Sequence, residues 1–327
     1  MSALDPARFL RDSHRLRATE ALPWAIIIAA FFLVPDYLAL GSQILVMILF
    51  ALSLDLVLGY AGIVTLGHAA FFGCGAYVAG ILGARGWSEP LSGLVAAGAV
   101  SGLLGVVIGA IVLRTRGLTL LMLTLVTAEM LQEAANRLGW LTGGADGLQG
   151  VEIAPVLGLF RFDLFGRTAY LYCLAVLFLA WCLARTIVHS PFGRSLTGIR
   201  ENEARMHAIG APVFLRRLRI FAISAALAGI AGGLLTQTTQ FASLETLGFQ
   251  LSGTVLIMLI LGGIGRLYGA FIGAPLYMIA QDQLAKDDPT YWLFWIGLLL
   301  VLVVLFARGG AFGLADRLGG RLRTIAK

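Results

Sequence analysis

The chain has 327 residues, of which 59% are hydrophobic and 13% are charged, whereas a soluble domain is about 45–50% apolar and about 25% charged. A water-soluble fold cannot bury this much apolar surface, so the composition excludes an ordinary soluble domain. The formal net charge of +6 does not indicate nucleic-acid binding, because the basic residues lie between apolar runs and form no continuous patch.

Apolar runs of about 16 to 23 residues recur along the chain, and a helix needs ~20 residues to cross the ~30 Å hydrocarbon core of a bilayer. We therefore predict an all-α fold, a polytopic bundle of about ten transmembrane helices within residues 22–307. The first five spans are expected near residues 22–41, 43–58, 63–84, 91–113 and 117–139. The second five are expected near residues 168–188, 218–240, 247–265, 267–285 and 291–307.

Lys and Arg residues are unevenly distributed between the connections of these spans. If the N-terminus lies inside, 19 of the 24 basic residues lie on the inner side, and basic residues are retained on the cytoplasmic side during insertion. We therefore expect both termini to be cytoplasmic, with an N-terminal segment at residues 1–21 and a tail at residues 308–327. A signal-peptide n-region is the alternative for the N-terminal arginines, but no clear small-residue cleavage site follows them: Arg8, Arg11, Arg15 and Arg17.

Two polar connections are long enough to carry function. The outer one, residues 140–167, contains Leu141-Thr-Gly-Gly-Ala-Asp-Gly147. Such clusters of Gly and Asp favour tight turns, so we expect a compact periplasmic loop. The inner one, residues 189–217, begins with Ser190-Pro191-Phe-Gly193 and is expected to form a short helix outside the bilayer on the cytoplasmic side.

The inner connection carries an amphipathic pattern. One helical stripe collects its apolar residues, Leu196, Ile199, Met206 and Ile209. Charges of both signs surround this stripe at Arg200, Glu201, Glu203 and Arg205. An amphipathic helix lies on a membrane surface or in a groove of another protein. Because a lipid-binding face would be more uniformly basic, the mixed charge favours the protein groove.

Glycine supplies 41 residues, many at the small-xxx-small spacing that lets transmembrane helices approach closely. Two segments are richer still, residues 59–77 and 262–275. Glycine-interrupted spans in the two halves of a transporter often mark broken helices along the solute path. Helix packing alone is the alternative for any single glycine. The glycines that we assign to a translocation pathway are Gly59, Gly67, Gly73, Gly75, Gly263 and Gly265.

Ionisable residues at membrane depth are costly and are therefore functional candidates. Asp55, His68 and Glu129 are assigned to the same pathway. His68 has an alternative of equal weight, a hydrogen bond to a neighbouring helix. Glu133 and Arg137 are four residues apart and are expected to pair on one helix.

The sequence lacks the signatures of common hydrolases. Its two lysines, Lys286 and Lys327, do not follow a glycine, whereas a Walker A loop requires Gly-Lys-Ser/Thr to hold nucleotide phosphates. The HExxH and GxSxG motifs are missing, and the three cysteines form no CxxC pair that would indicate a metal site. We expect a non-enzymatic chain with no catalytic residues, no metal and no bound cofactor.

Several different motifs follow one another along residues 43–315. The first are Leu54-Asp-Leu-Val-Leu-Gly-Tyr-Ala-Gly62, Leu66-Gly-His-Ala-Ala-Phe-Phe-Gly73, Arg116-Gly-Leu with Glu129, and Thr142-Gly-Gly-Ala-Asp-Gly147. The later ones are Phe192-Gly-Arg-Ser-Leu, Ile199-Arg-Glu-Asn-Glu203, Ile223-Ser-Ala-Ala-Leu-Ala-Gly229 and Gly262-Gly-Ile-Gly265. Together they resemble the permease subunits of branched-chain amino acid ABC importers, of the LivM type.

The resemblance implies a multi-pass permease of the bacterial inner membrane, surrounded by membrane lipid. It implies as partners a second homologous permease, two cytoplasmic ATPase subunits that bind ATP and Mg, and a periplasmic solute-binding protein, with no nucleic acid. The implied ATPase-coupling residues are Gly193, Arg194, Ile199, Arg200, Glu203 and Gly210. The implied loop residues on the binding-protein side are Thr142, Gly143, Gly144, Asp146 and Gly147.

The sequence does not determine the transported solute, and it allows two alternative functions. Asp55 and Thr65 stand where family members usually carry Asn and Ser, and related permeases import urea, amides or aromatic acids. An ion-coupled secondary transporter with Asp55, Glu129 or His68 as proton sites is the first alternative function. An intramembrane enzyme that uses His68 and a nearby acid is the second, and the missing hydrolase motifs weigh against it.

Overall fold

The computed structural model describes residues 20–156, 158, 160 and 166–306. The N-terminal arginines, Arg161 and the predicted C-terminal tail, residues 308–327, lie outside the described residues. The orientation with both termini in the cytoplasm depends on those residues and stays a prediction.

The described residues form thirteen α-helices. The ten longer ones are α1 (Ala21–Leu33), α2 (Leu38–Asp55), α3 (Ala69–Ala84), α4 (Pro90–Val112), α5 (Leu118–Arg137), α7 (Arg167–His189), α10 (Val213–Thr239), α11 (Phe249–Gly262), α12 (Gly269–Asp287) and α13 (Trp292–Phe306). Three short helices lie in the connections: α6 (Gly139–Thr142), α8 (Pro191–Glu201) and α9 (Glu203–Ala208). Each of the ten predicted spans overlaps one of the ten longer helices.

Five helical stretches are long and apolar enough to cross a bilayer: Pro35–Tyr60, which contains α2, and the helices α4, α5, α7 and α10. Helices α1, α3 and α11 are apolar but shorter. The prediction of an all-α polytopic transmembrane bundle is confirmed. Ten helices match the ten predicted spans in position, and five of these have by themselves the length and apolarity of a full crossing.

The first glycine-rich segment interrupts the helices where a continuous span was predicted. After α2 the chain forms a π-helical turn at Leu56–Tyr60, and residues 61–68 are not helical before α3 begins. The predicted span at residues 63–84 therefore begins six residues before the helix does. Non-helical backbone at membrane depth must be satisfied inside the protein. The Ala69 N–H accordingly donates to the Ser252 hydroxyl at 2.9 Å, and the Gly67 N–H donates to the Thr65 hydroxyl at 3.2 Å.

Helix α10 crosses α3 and α4 at close range. Gly229 of α10 lies against Gly75 of α3 and Ser101 of α4, and a Cβ at either glycine would overlap the neighbouring helix. Four further glycines on α4 face α10: Gly98, Gly102, Gly105 and Gly109. The small-xxx-small spacing of α4 therefore marks the side on which α10 packs, as expected for helices that associate through close backbone contact.

The two polar connections lie at opposite ends of the bundle. Helix α5 begins beside Arg116, which pairs with Glu203 of the α8–α9 connection, and it ends before α6 and residues 142–147. Helix α10 likewise starts after the α8–α9 connection and ends close to a backbone bridge between Leu148 and Ala242. We call the two ends the coupling end, which carries α8 and α9, and the loop end.

Candidate functional site

The connection between α7 and α10 folds into two short helices, α8 and α9, and not into the single helix predicted from the sequence. The Ser190 hydroxyl accepts a hydrogen bond from the Gly193 N–H at 3.2 Å and caps α8. Asn202 has an extended backbone, which ends α8, and its side chain accepts a hydrogen bond from the Arg205 N–H at 2.9 Å, which caps α9. An asparagine that bonds to the backbone in this way favours a helix start over a helix interior. The apolar stripe is therefore divided between the two helices.

Helix α8 is held against the bundle by its apolar side. Leu196 and Ile199 are each 1% exposed. Gly193 lies so close to the end of α7 that a Cβ would overlap the carbonyl groups of Ile187 and Val188. Of the predicted coupling residues, Gly193 and Ile199 therefore fix the position of α8.

Arg200 connects α8 to both glycine-rich segments. Its guanidinium donates a hydrogen bond to the Gly59 carbonyl in the π-helical turn after α2. Asp55, the last residue of α2, is 1% exposed, and its Oδ1 accepts a hydrogen bond from the Gly265 N–H at 2.7 Å. A Cβ at Gly59 would overlap the Asp55 carboxylate and the Gly265 backbone. The predicted coupling residue Arg200 and three predicted pathway residues thus form one cluster, the Asp55 cluster, which consists of Asp55, Gly59, Arg200 and Gly265.

Glu203 holds α9 against two other elements. Its carboxylate pairs with Arg217 of α10 at 3.1 Å and with Arg116, just before α5, at 2.9 Å. His207, one turn further along α9, lies 3.6 Å from the same carboxylate. Glu203, which was predicted to couple to the ATPase, thus has a side chain that anchors α9 within the chain.

The outward surface of the connection is formed by α9 and the turn that follows it. Ile209 is 70% exposed, and Arg205 and Ala208 are exposed beside it. Gly210 has a φ of +78° with open space around its Cα, which is the left-handed conformation that glycine favours after a helix. Arg194 is half-buried on α8. Ile209 is therefore an exposed apolar side chain with a basic residue, Arg205, beside it.

His68 lies in the packed core. Its Nε2 is 3.0 Å from the Ser53 hydroxyl of α2 and 3.3 Å from the Ser224 hydroxyl of α10. The ring is stacked on Phe50, with centroids 5.6 Å apart and planes 7° apart. This environment corresponds to the alternative interpretation of His68, a hydrogen bond between neighbouring helices.

The remaining pathway glycines lie at contacts between elements. A Cβ at each of three would meet a neighbour, Gly67 at Thr124 of α5, Gly73 at Leu247, and Gly75 at Gly229 of α10. Gly263 follows α11 with a φ of +115° and belongs to the turn that leads into α12. These positions correspond to the packing interpretation that the spacing of the glycines also allowed.

Glu129 is the predicted pathway residue that faces out of the bundle. It lies near the middle of α5 and is exposed, as are Met122, Val126 and Met130 on the same side. In the most apolar 18-residue stretch of α5, 17% of the residues are buried inside this chain, compared with 61% for α10. A carboxylate at this depth is expensive to place in lipid. The side of α5 formed by Met122, Val126, Glu129 and Met130, which we call the α5 face, therefore requires water or protein beside it.

The loop after α5 is fixed to the bundle. Thr142 is 5% exposed, and its hydroxyl lies 3.0 Å from the Leu138 carbonyl and 3.3 Å from the Gly144 N–H. Three of its residues have positive φ and allow the tight turns, Gly143, Gly144 and Gly147. Asp146 is exposed. Of the predicted binding-protein residues, Asp146 presents a side chain to solvent, and Thr142 with the glycines shapes the loop.

Comparison with known proteins identifies relatives of this chain. A family model described as the permease component of branched-chain amino acid transport systems matches residues 37–304. The high-affinity branched-chain amino acid transport system permease protein LivM of Salmonella typhimurium is 29% identical over 297 residues, which cover 83% of this chain and 68% of that protein. The probable LivM of Methanocaldococcus jannaschii is 25% identical over 316 residues, which cover 80% and 88%. The autoinducer 2 import system permease protein LsrC of an Enterobacter species is 32% identical over 288 residues, which cover 82% and 77%. No solved structure gives a significant match.

The family match extends from the turn before α2 into α13 and thus includes the Asp55 cluster, both connections and the α5 face. The matched proteins are transport permeases and not enzymes, which agrees with the missing hydrolase motifs. The apolar helices agree with a protein embedded in the membrane. The chain therefore belongs to the family of branched-chain amino acid transport system permease components, as a LivM-type, multi-pass inner-membrane permease subunit of an ABC importer.

Proposed function

We propose that this permease imports branched-chain amino acids and that separate ATPase subunits drive it through the α8–α9 connection. The observation that carries the proposal is the anchoring of this connection. Glu203 ties α9 to α10 and to the start of α5, and Arg200 ties α8 to the end of α2. A push on the connection is therefore passed to three spanning helices. Nucleotide-driven closure of an ATPase dimer would tilt the bundle from an outward-open to an inward-open arrangement.

The ATPase contact is assigned to Ile209, with Arg205 and Ala208 beside it. A single buried apolar side chain surrounded by polar contacts is a common centre of a protein interface, and Ile209 is 70% exposed in the isolated chain. The side chains of Arg200 and Glu203 are engaged within the permease, so their part is to transmit movement. ATP and Mg are bound by the ATPase subunits in this scheme.

A second, homologous permease is assigned to the α5 face. Glu129 supports this assignment, because a carboxylate exposed in the middle of a spanning helix needs a polar environment. The solute would pass between two such faces and avoid contact with lipid. Two permeases with one α8–α9 connection each account for two ATPase subunits.

The solute-binding protein is assigned to the loop end, which is periplasmic in the orientation predicted from the basic residues. The fixed backbone of residues 142–147 supports this assignment, because a loop that is already ordered loses little conformational entropy on binding. Asp146 supplies an exposed charge for recognition.

The solute is proposed from the relatives, since LivM is named for branched-chain amino acids and LsrC is named for autoinducer 2 import. We favour leucine, isoleucine and valine because the family model and two of the relatives described above carry that name. Competition among the three amino acids in an uptake assay tests this part of the proposal separately. Uptake of labelled leucine that neither unlabelled isoleucine nor unlabelled valine reduces would reject it.

The central test is reconstitution of the purified chain in liposomes with radiolabelled leucine. We expect uptake only with the ATPases, ATP and the binding protein present, and we expect it to persist with an uncoupler. Full uptake by the chain alone would refute the drive by separate ATPases. Uptake that collapses with an uncoupler at constant ATP would instead identify an ion-coupled transporter.

A further inference from the structure

We propose that Asp55 and Arg200 form a positioning pair that passes movement of α8 to the turn between α11 and α12. This inference rests on the proposed function, because it presupposes that the ATPases act on the α8–α9 connection. It changes the assignment of Asp55 from a residue of the solute path to a residue of energy coupling.

The two carboxylate oxygens of Asp55 differ in their hydrogen bonding. Its Oδ1 accepts the hydrogen bond from the Gly265 N–H at 2.7 Å, and its Oδ2 is buried without a hydrogen-bond partner among the described residues. A buried carboxylate oxygen without a partner is costly. Arg200 bonds to the carbonyl of Gly59, and Gly59 packs directly against the Asp55 carboxylate.

Arg200 passes directly between the two glycine-rich segments. Its guanidinium donates to the Gly59 carbonyl, and its stem lies against Gly62, where an added Cβ would stand 2.6 Å from the Arg200 Cγ. An added Cβ on Gly265 would stand 3.2 Å from one of its terminal nitrogens. The missing side chains of these glycines leave the space that the Arg200 side chain occupies.

These contacts join three elements that are far apart in the sequence. The end of α2 carries Asp55 and Gly59, α8 carries Arg200, and the turn before α12 carries Gly265. When α8 moves, the Arg200 guanidinium can pull the π-helical turn with it. Alternatively, it can leave the Gly59 carbonyl and bind Oδ2 of Asp55, which has no other hydrogen-bond partner among the described residues. In both cases the hydrogen bond from Gly265 to Asp55 transmits the change to the start of α12. A two-state element of this kind is what coupling between distant sites requires.

The experiment uses the complete importer in liposomes and measures leucine transported per ATP hydrolysed. We expect Asp55→Ala and Arg200→Ala to lower this ratio about tenfold, within the roughly 5–150-fold range of typical coupling between sites. ATPase copurification and basal ATP hydrolysis should stay within about twofold of the wild type. The double variant should be no worse than the more affected single variant, because residues that act in one step are not additive.

Conservative variants keep the test decisive if alanine reduces insertion. Asp55→Leu keeps the branched shape of the side chain but removes the acceptor for Gly265, and Arg200→Lys retains the charge but removes the second terminal nitrogen. We expect both to lower the transport ratio at normal membrane content. Arg114→Ala is the matched control, because Arg114 follows α4 and its side chain bonds to the Ala110 carbonyl at the end of that helix.

Two results would overturn the inference. Unchanged transport per ATP in Asp55→Leu and Arg200→Lys would remove the pair from coupling, and additive losses in the double variant would mean that the two residues act separately. The proposed function fails by a different observation, uptake by the wild-type permease without any ATPase. The two outcomes are therefore distinguishable in one set of liposomes.

Discussion

The carboxylate of Glu203 and the guanidinium of Arg217 are 3.1 Å apart, and their side chains are 20% and 16% exposed. Glu203 is the first residue of α9, and Arg217 lies near the start of α10. The pair therefore fixes a short helix of the coupling end to a helix at the centre of the bundle. Because the pair is partly shielded from solvent, removing one partner leaves the other charge without adequate compensation.

We expect Glu203→Ala to lower ATP-driven uptake about tenfold with membrane insertion preserved, since the lost contacts to Arg217 and Arg116 correspond to about 1–3 kcal/mol of local stability. Uptake into vesicles at equal permease content is the measurement. Glu89→Ala replaces an exposed glutamate just before α4, at the loop end, and should transport normally. Normal uptake by the Glu203 variant would contradict the anchoring role.

Gly75→Ala tests the contact between α3 and α10. The added Cβ would overlap the Gly229 carbonyl, and backbone atoms cannot move aside as a flexible side chain can. We expect a loss of about 1–3 kcal/mol in the free energy of unfolding, as for other overpacked positions. Thermal unfolding in detergent, followed by tryptophan fluorescence, measures it.

Gly253→Ala is the matched control for this variant. Gly253 lies inside α11, and a Cβ there meets no atom within 4 Å. Alanine has the higher helix propensity, so the melting temperature should stay the same or rise. Equal melting temperatures for the Gly75 and Gly253 variants would show that the α3–α10 contact tolerates a methyl group.

Ile209→Asp tests the proposed ATPase contact. A charge at a side chain that is 70% exposed leaves the isolated permease intact, but it would have to be desolvated in an apolar groove. We expect the affinity for the ATPase subunits to fall more than about tenfold, as for a central interface residue. Copurification and binding titration measure this, and Ile209→Val should bind almost as the wild type does. Unchanged affinity of the aspartate variant would place the contact elsewhere on the permease.

The architecture could be predicted well because it follows from local patterns. Apolar runs of membrane length identify the helices, and glycine spacing on α4 identifies the side that meets α10. The helix start at Ala69 could not be predicted, because residues 61–68 are as apolar as a helix would be. Their backbone bonds to side chains that are distant in the sequence, as the Leu66 N–H does to the Thr124 hydroxyl.

The candidate site was only partly predictable for the same reason. Asp55, Arg200 and Gly265 were each predicted from the sequence as site residues, but no local pattern indicates that they lie in contact with one another. The division of the α8–α9 connection had a signal, the Asn202-Glu203 pair that begins a helix. The environment of His68 had none, since Ser53 and Ser224 are ordinary residues of apolar helices.

The α5 face offers the clearest test of how two permeases pair. Met130 of this face is 67% exposed, and Leu103 of α4 is 66% exposed in the same chain. The two side chains are similar in size and exposure, and they differ in that Met130 is adjacent to Glu129. We therefore expect Met130 to face a second permease and Leu103 to face lipid.

A photoreactive benzoyl-phenylalanine at each position distinguishes these surroundings in native membranes. We expect the residue at position 130 to cross-link to a second permease chain, and the residue at position 103 to give no cross-link to that chain at equal expression. Glu129→Leu provides a second measurement. A lipid-facing position would gain stability from leucine, whereas a position that faces a polar path would keep its fold and lose uptake about tenfold. Cross-linking from position 103 alone, or normal uptake by Glu129→Leu, would assign the pairing surface to α4 or another helix.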